Sequence, residues 1–145
     1  MKALIQRVSS ASVDIDGSRV SEISAGMLVF LGIDKTDEMN AVHQLAEKVM
    51  NYRIFSDEDG KMNRSLLETG GEMLIVSQFT LSADTEQGLR PSFYSAAGAE
   101  LAEWLYDTFV SYCSEKDTRV VSGQFAADMQ VNLTNDGPAT FLLEG

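Results

Sequence analysis

Apolar and polar residues alternate at the start of the chain. ALIQRV (3–8) and ASVDIDGSRVSEI (11–23) carry an apolar residue at about every second position, the period of strands with one buried face. Asp16-Gly17 suits a tight two-residue hairpin turn within the second stretch. GMLVFLGI (26–33) is an unbroken apolar run and predicts a strand buried on both faces. The period then changes. Met39, Val42, Leu45, Ala46 and Val49 recur at helical spacing, with Thr36 as the expected N-cap and Asp37 and Glu38 in the first turn.

YRIF (52–55) predicts a short strand ending in the turn SDEDGK (56–61), and GEMLIVSQFTL (71–81) a second strongly apolar strand. Beyond Pro91, a second amphipathic helix is marked by Leu101, Trp104, Leu105, Thr108, Phe109 and Tyr112. TRVV (118–121), DMQVNL (128–133) and ATFLLE (139–144) close the chain as strands. The expected order is β-β-β-β-α-β-β-α-β-β-β. This describes a single α/β domain over residues 1–145, with mixed β-sheets and two helices covering one side in a three-layer α/β/β arrangement.

Eleven basic residues against twenty-two acidic ones give a net charge of −11. That balance argues against a protein that coats nucleic acid through its phosphates, DNA included, but not against one that grips a nucleic-acid end. Lys2 and Arg7, ahead of any acid, form the one local positive excess. No apolar run reaches the length of a membrane span, and the first residues turn polar too soon for a signal peptide. Cys113 is the only cysteine, which excludes an internal disulfide and fits a reducing cytoplasm.

Little in the chain offers familiar catalytic chemistry. His43 is the only histidine, so no histidine-based dyad or triad can be assembled beyond it, and it reads as a helix-surface residue near Glu47. One histidine and one cysteine do not make a zinc site, and no metal or other cofactor is expected. SDEDGK is only superficially like a calcium loop and lacks its closing glutamate, while TGG (69–71) has no Lys-Ser/Thr after it and reads as a turn. Two stretches stand out. In SQFTL (77–81) a buried strand ends abruptly in Ser77, Gln78 and Thr80, polar groups where binding sites commonly sit, although a strand fraying into a loop would look the same. In NDGPAT (135–140), Pro138 lies between two expected strands, where a proline limits pairing. Either it is simply a turn proline, or the stretch DGP holds something.

Taken in order, ALIQRVSSASV, NYRIFSDEDGKMN, VSQFTLSADT, RPSFYSAA, FAADMQV and NDGPATF resemble the D-aminoacyl-tRNA deacylases, also called D-tyrosyl-tRNA deacylases, almost end to end. The resemblance implies a cytoplasmic homodimer that hydrolyses the ester between a D-amino acid, or glycine, and the 3′ end of tRNA. It places the pocket at the dimer interface. SQFTL of one subunit lines it, and Gly137-Pro138 of the other, joined by a cis peptide, reaches across into it. An acidic protein can serve here, because a single-stranded end is read by base contacts and stacking.

With no histidine at hand, Thr80 lacks the base a nucleophile needs. The family implies instead that the free 2′-hydroxyl of the terminal ribose assists, with a backbone amide near Phe79 stabilising the anion. Phe125, Ala126 and Met129, with Ala102 nearby, are expected to shape the adenosine end, though Phe125 and Met129 also fit ordinary core. Arg7 is expected to hold the Gly137–Pro138 carbonyls or the loop around them, the alternative being a surface arginine at a strand edge. Two rival readings remain: a generic esterase using Thr80, and a non-catalytic RNA-end or protein-binding dimer.

Overall fold

The longest strands lie at the two ends of the chain and pair with each other. In the computed structural model, which describes residues 1–145 throughout, β1 (Lys2–Ile15) runs antiparallel to the last strand, β8 (Gln130–Glu144), over nearly its whole length. The first half of β1 also pairs with β3 (Gly26–Gly32) and its second half with β2 (Ser18–Ile23), both antiparallel. β6 (Glu72–Ser77) then joins β3 in parallel, and β7 (Val120–Ser122) joins β6. The sheet is therefore mixed, ordered β2-β1-β3-β6-β7 with β8 on β1.

Strand alternation sorts the core into two clusters. Ala3, Ile5, Met27, Val29, Leu31, Met73 and Ile75 point to one face, against Leu45 and Val49 of α1 (Met39–Asn51) and Leu105 and Phe109 of α3 (Ala99–Ser114). On the other face, Leu28, Leu74 and Val76 meet Val8, Ala11 and Val13 of β1 and Ile23 of β2. Register shifts near Val8 and between Val13 and Asp14 mark where β1 departs from regular pairing, so one strand contributes to two layers. The result is the three-layer α/β/β arrangement, with both long helices on one side. No helix is long and apolar enough to cross a membrane.

Several expected boundaries move. ALIQRV and ASVDI form one continuous strand, because the departures from regular pairing keep β1 bonded through its exposed Ser9 and Ser10. DMQVNL and ATFLLE are likewise one strand. β1 advances from Gln6 to Val8 while β8 goes from Thr140 to Asn135, so residues 136–139 bulge out opposite Arg7. Asp16 and Gly17 do form the hairpin turn, both with positive φ.

Thr36 caps nothing. α1 begins at Met39 with Glu38 in the cap position and no side-chain cap, and no acidic residue occupies the first turn. Asp37 is drawn away by stronger partners, the Asp34 amide and the Met1 ammonium. Of YRIF, only Phe55 enters a strand, the two-residue β4 (Phe55–Ser56), which pairs with β5 (Met62–Arg64). A further short helix, α2 (Leu66–Thr69), has a full capping box between Ser65 and Glu68 and a left-handed Gly70 at its end.

Candidate functional site

β6 is flanked by β3 and β7, and its residues Met73 to Val76 are buried. At Ser77 the apolar pattern stops and the chain turns. The Gln78 amide donates to the Leu31 carbonyl at 2.8 Å, and Phe79–Ser82 then wind into a 3₁₀ turn above the end of β3. The first amides of such a turn have no partner within it. Gln78 Nε2 donates to Thr80 Oγ1. Phe79 is 57% exposed, its ring 5.1 Å from that of Phe93.

Beside this turn lies a pocket of about 740 Å³, a size suited to a small ligand. Ser77, Gln78 and Phe79 form one wall, Ala97 and Ala102 a second, and the segment from Phe125 to Val131 the third. Ala126 has a φ of 62°, unusual for a residue with a side chain, and it occurs in this third wall. Phe125 is backed by Tyr106 of α3, with ring centroids 5.9 Å apart. The Tyr106 hydroxyl donates to the Ile75 carbonyl at 2.9 Å, and burial pushes its phenol up to about 12. It therefore stays a neutral donor that ties α3 to β6.

Seven of the residues singled out in the sequence, Ser77, Gln78, Phe79, Ala102, Phe125, Ala126 and Met129, line this one pocket. Thr80, Arg7, Gly137 and Pro138 do not. Tyr106, Ala97 and Asp128 belong to the site or its support and were not anticipated. Tyr106 sits on the helical stripe and reads as core; only its contact with Phe125 gives it a place here.

Arg7 holds the bulge in β8. Its Nε donates to the Asp136 carbonyl at 2.9 Å and its Nη1 to the Ile54 carbonyl at 2.7 Å. Asn135 closes the other side, donating to the Arg7 carbonyl at 2.9 Å and to the Ala139 carbonyl at 3.4 Å. Gly137 and Pro138, joined by a cis peptide, are exposed on this bulge. Arg7 thus holds the loop around the pair, through the Asp136 carbonyl, and not the carbonyls of Gly137 or Pro138 themselves. Arg7→Met removes two charge-assisted hydrogen bonds and strands the carbonyl of buried Ile54, so a loss of about 2–3 kcal/mol is expected in urea unfolding. Arg7→Lys should recover only part of it, since one ammonium lacks the fork that reaches both carbonyls.

The catalytic inventory stays short. His43 is exposed on α1, its ring stacked 4.8 Å from Tyr112. Cys113 is buried in the core, where desolvation pushes its thiol up to about 12. The amide that donates to Thr80 cannot take a proton from it.

Residues 4–144 match the family model described as D-Tyr-tRNA(Tyr) deacylase. The chain belongs to the D-Tyr-tRNA(Tyr) deacylase family. Among its relatives, a D-aminoacyl-tRNA deacylase of Histophilus somni is 61% identical over 143 residues, covering 99% of each chain. One of Escherichia coli O81 is 54% identical over 144 residues, again covering 99% of each. Among solved structures, the c-Myc DNA Unwinding Element Binding Protein superposes with a TM-score of 0.95 at 38% identity, covering 100% of this chain and 99% of that one. A probable eukaryotic D-amino acid tRNA deacylase shares the fold, with a TM-score of 0.83 at 17% identity over 99% and 98% of the two chains.

Proposed function

We propose that this family member hydrolyses the ester of D-aminoacyl-tRNA to free amino acid and tRNA, working in the cytoplasm with residues 1–145 as one deacylase domain. The observation that carries the proposal is the family match over nearly the whole chain; the pocket that Ser77, Gln78 and Phe79 share with Phe125, Ala126 and Met129 supports it. The pocket takes the terminal adenosine against Phe125, Ala126, Met129 and Ala102. The aminoacyl ester lies toward Ser77, Gln78 and Phe79. The Phe79 amide, at the start of the 3₁₀ turn, stabilises the developing oxyanion. The ribose 2′-hydroxyl of the substrate supplies the assistance that no protein base offers.

Selection by handedness comes from a second subunit. An enzyme accepting many D-amino acids cannot grip their side chains, so it recognises the shared α-amino group and leaves no room on the L side. Gly137 and Pro138 of the partner subunit form that wall of rigid backbone, with carbonyl oxygens to meet the ammonium group. Glycine has no side chain on either hand and passes, which makes mischarged glycyl-tRNA a second substrate. The exposure of the bulge, outside its own chain's pocket, supports this division.

Incubation with D-tyrosyl-tRNA and L-tyrosyl-tRNA tests the main proposal. Cleavage of the D form alone is expected; cleavage of neither would leave a binding module, and cleavage of simple esters as well would leave a generic esterase. The shared site has a separate check. A chain with a blocked bulge (Gly137→Arg) and one with a filled pocket (Ala102→Trp) should each be inactive as homodimers. An equimolar mixture should regain about a quarter of the wild-type sites, because half of random pairs are mixed and each mixed dimer has one intact site of its two. No recovery on mixing would place bulge and pocket in the same chain's site.

A further inference from the structure

We propose that Gly123 is a positioning residue for the terminal adenosine, giving Met129 the seat that sets the depth of that end of the pocket; the inference rests on reading that pocket as the deacylase site. Gly123 directly follows β7, and its amide donates to the Ile75 carbonyl of β6 at 3.0 Å. The same carbonyl accepts the Tyr106 hydroxyl at 2.9 Å, so it is occupied by two groups that hold this wall. The chain then folds back. The Ala127 amide donates to the Gln124 carbonyl at 3.2 Å, and Ala126 takes its left-handed φ of 62°. The turn returns Met129 to Gly123. A Cβ on Gly123 would stand 2.6 Å from Met129 Sδ, far inside any normal contact. The next nearest atoms, Met129 Cε at 3.8 Å and Val13 Cγ2 at 3.9 Å, lie at ordinary distances. The φ of Gly123 is outside the left-handed region, so the backbone does not demand a glycine here. The thioether does.

Met129 can yield in one direction. Besides Gly123 it packs on the second core cluster, where Val13, Leu74 and Val76 are buried and few voids remain. Its open side is the pocket, which it lines together with Phe125, Ala126 and Val131. A methyl group at Gly123 therefore pushes the thioether into the space of the adenine base. The other two walls are fastened by main-chain bonds and cannot retreat to make room. The Gln78 amide bonds to the Leu31 carbonyl at 2.8 Å, at the foot of the Ser77–Phe79 wall. The Ala97 amide bonds to the Ile33 carbonyl at 3.0 Å and the Lys35 amide to the Ser95 carbonyl at 2.9 Å, fastening the second wall. Because a methionine side chain bends readily, the added methyl disturbs the pocket and spares the fold.

The test compares wild type, Gly123→Ala, Met129→Ala and the double variant for kcat and KM on D-tyrosyl-tRNA. Adenosine binding is titrated alongside by NMR, on the Met129 methyl resonance where that residue is present. Gly123→Ala is expected to fold, to raise KM about tenfold or more with little change in kcat, and to weaken adenosine binding in proportion; a methylene-sized misfit in an apolar pocket costs at least that much. The double variant should return to the KM of Met129→Ala, because the added methyl then has nothing to push. A wild-type KM in Gly123→Ala, or an equal rise when alanine is added at Gly123 in the Met129→Ala chain, would overturn the proposal. If Gly123→Ala alone does not fold, the double variant decides it: folded with the KM of Met129→Ala sustains the seat, and unfolded overturns it. If wild type itself has no deacylase activity, the reading of the pocket fails, and adenosine alone judges the seat. Weaker binding to Gly123→Ala than to wild type then sustains it, and equal binding or none overturns it.

Discussion

A tRNA ending in 2′-deoxyadenosine and charged on its 3′-hydroxyl should be hydrolysed at least about a hundredfold more slowly than the ribose form, the lower end of what a positioned proton-transfer group contributes. Thr80→Ala should keep most of the wild-type rate on the ordinary substrate. Both expectations follow from what surrounds the pocket. Thr80 lies outside the pocket lining and receives a hydrogen bond from Gln78, an amide with no capacity to deprotonate it. His43 is committed to the face of Tyr112. No side chain is placed to take the proton from Thr80, and under the proposed function the assisting group is instead the substrate's own 2′-hydroxyl, next to the scissile ester. Removal of a true nucleophile costs on the order of 10⁴-fold or more, so the two readings differ widely. An unaffected 2′-deoxy substrate together with a dead Thr80→Ala variant would restore Thr80 as the nucleophile.

Gly26→Ala is expected to abolish the folded protein. A Cβ at Gly26 would lie 1.9 Å from the Glu72 carbonyl oxygen, 2.6 Å from its nitrogen and 2.7 Å from its carbonyl carbon. All three atoms are backbone, so no side chain can swing aside. Gly26 and Glu72 are also register partners in the parallel β3–β6 pair, and the clash can be relieved only by parting the strands that seat the pocket's first wall. The cost should exceed about 4 kcal/mol, a large share of the roughly 5–15 kcal/mol that holds a domain together. Gly60→Ala is the control. Its φ is +77° but no atom lies within 4 Å of the added Cβ, so only the backbone preference is lost, about 1–2 kcal/mol. Circular dichroism and urea unfolding of the two variants separate strain from collision; similar stabilities would rule out the close approach at Gly26.

The layers were legible because periodicity reports which face is buried. The unbroken run at 26–33 and the apolar stretch before Ser77 do become adjacent inner strands, and the two helical stripes do cover one face. Strand breaks were less legible. Ser9 and Ser10 interrupt the alternation on β1, yet pairing continues through them by register shifts that no local pattern announces. The capping box at Ser65–Glu68, with Gly70 after it, is a local signal for the short helix α2. Thr36 misled because cap preference is local, whereas Asp37 answers to the chain terminus 36 residues away. In the site, SQFTL and FAADM showed through polar groups and order along the chain. Tyr106 did not, since its place comes from partners distant in sequence, the Ile75 carbonyl and the Phe125 ring.

The fastening of the pocket walls also bears on how such a site can change over many generations. Gln78, Lys35 and Ala97 hold their loops through main-chain N–H groups, which every residue but one provides. Side chains at these positions can therefore drift while the loops keep their course, and new substrate preferences can be explored without first rebuilding the frame. Proline is the exception. In a saturation library, proline should be depleted at all three positions, including exposed Lys35 where side-chain burial would predict indifference. Tolerance of other residues should be broad at Lys35 and narrower at Gln78 and Ala97, whose side chains also line the pocket.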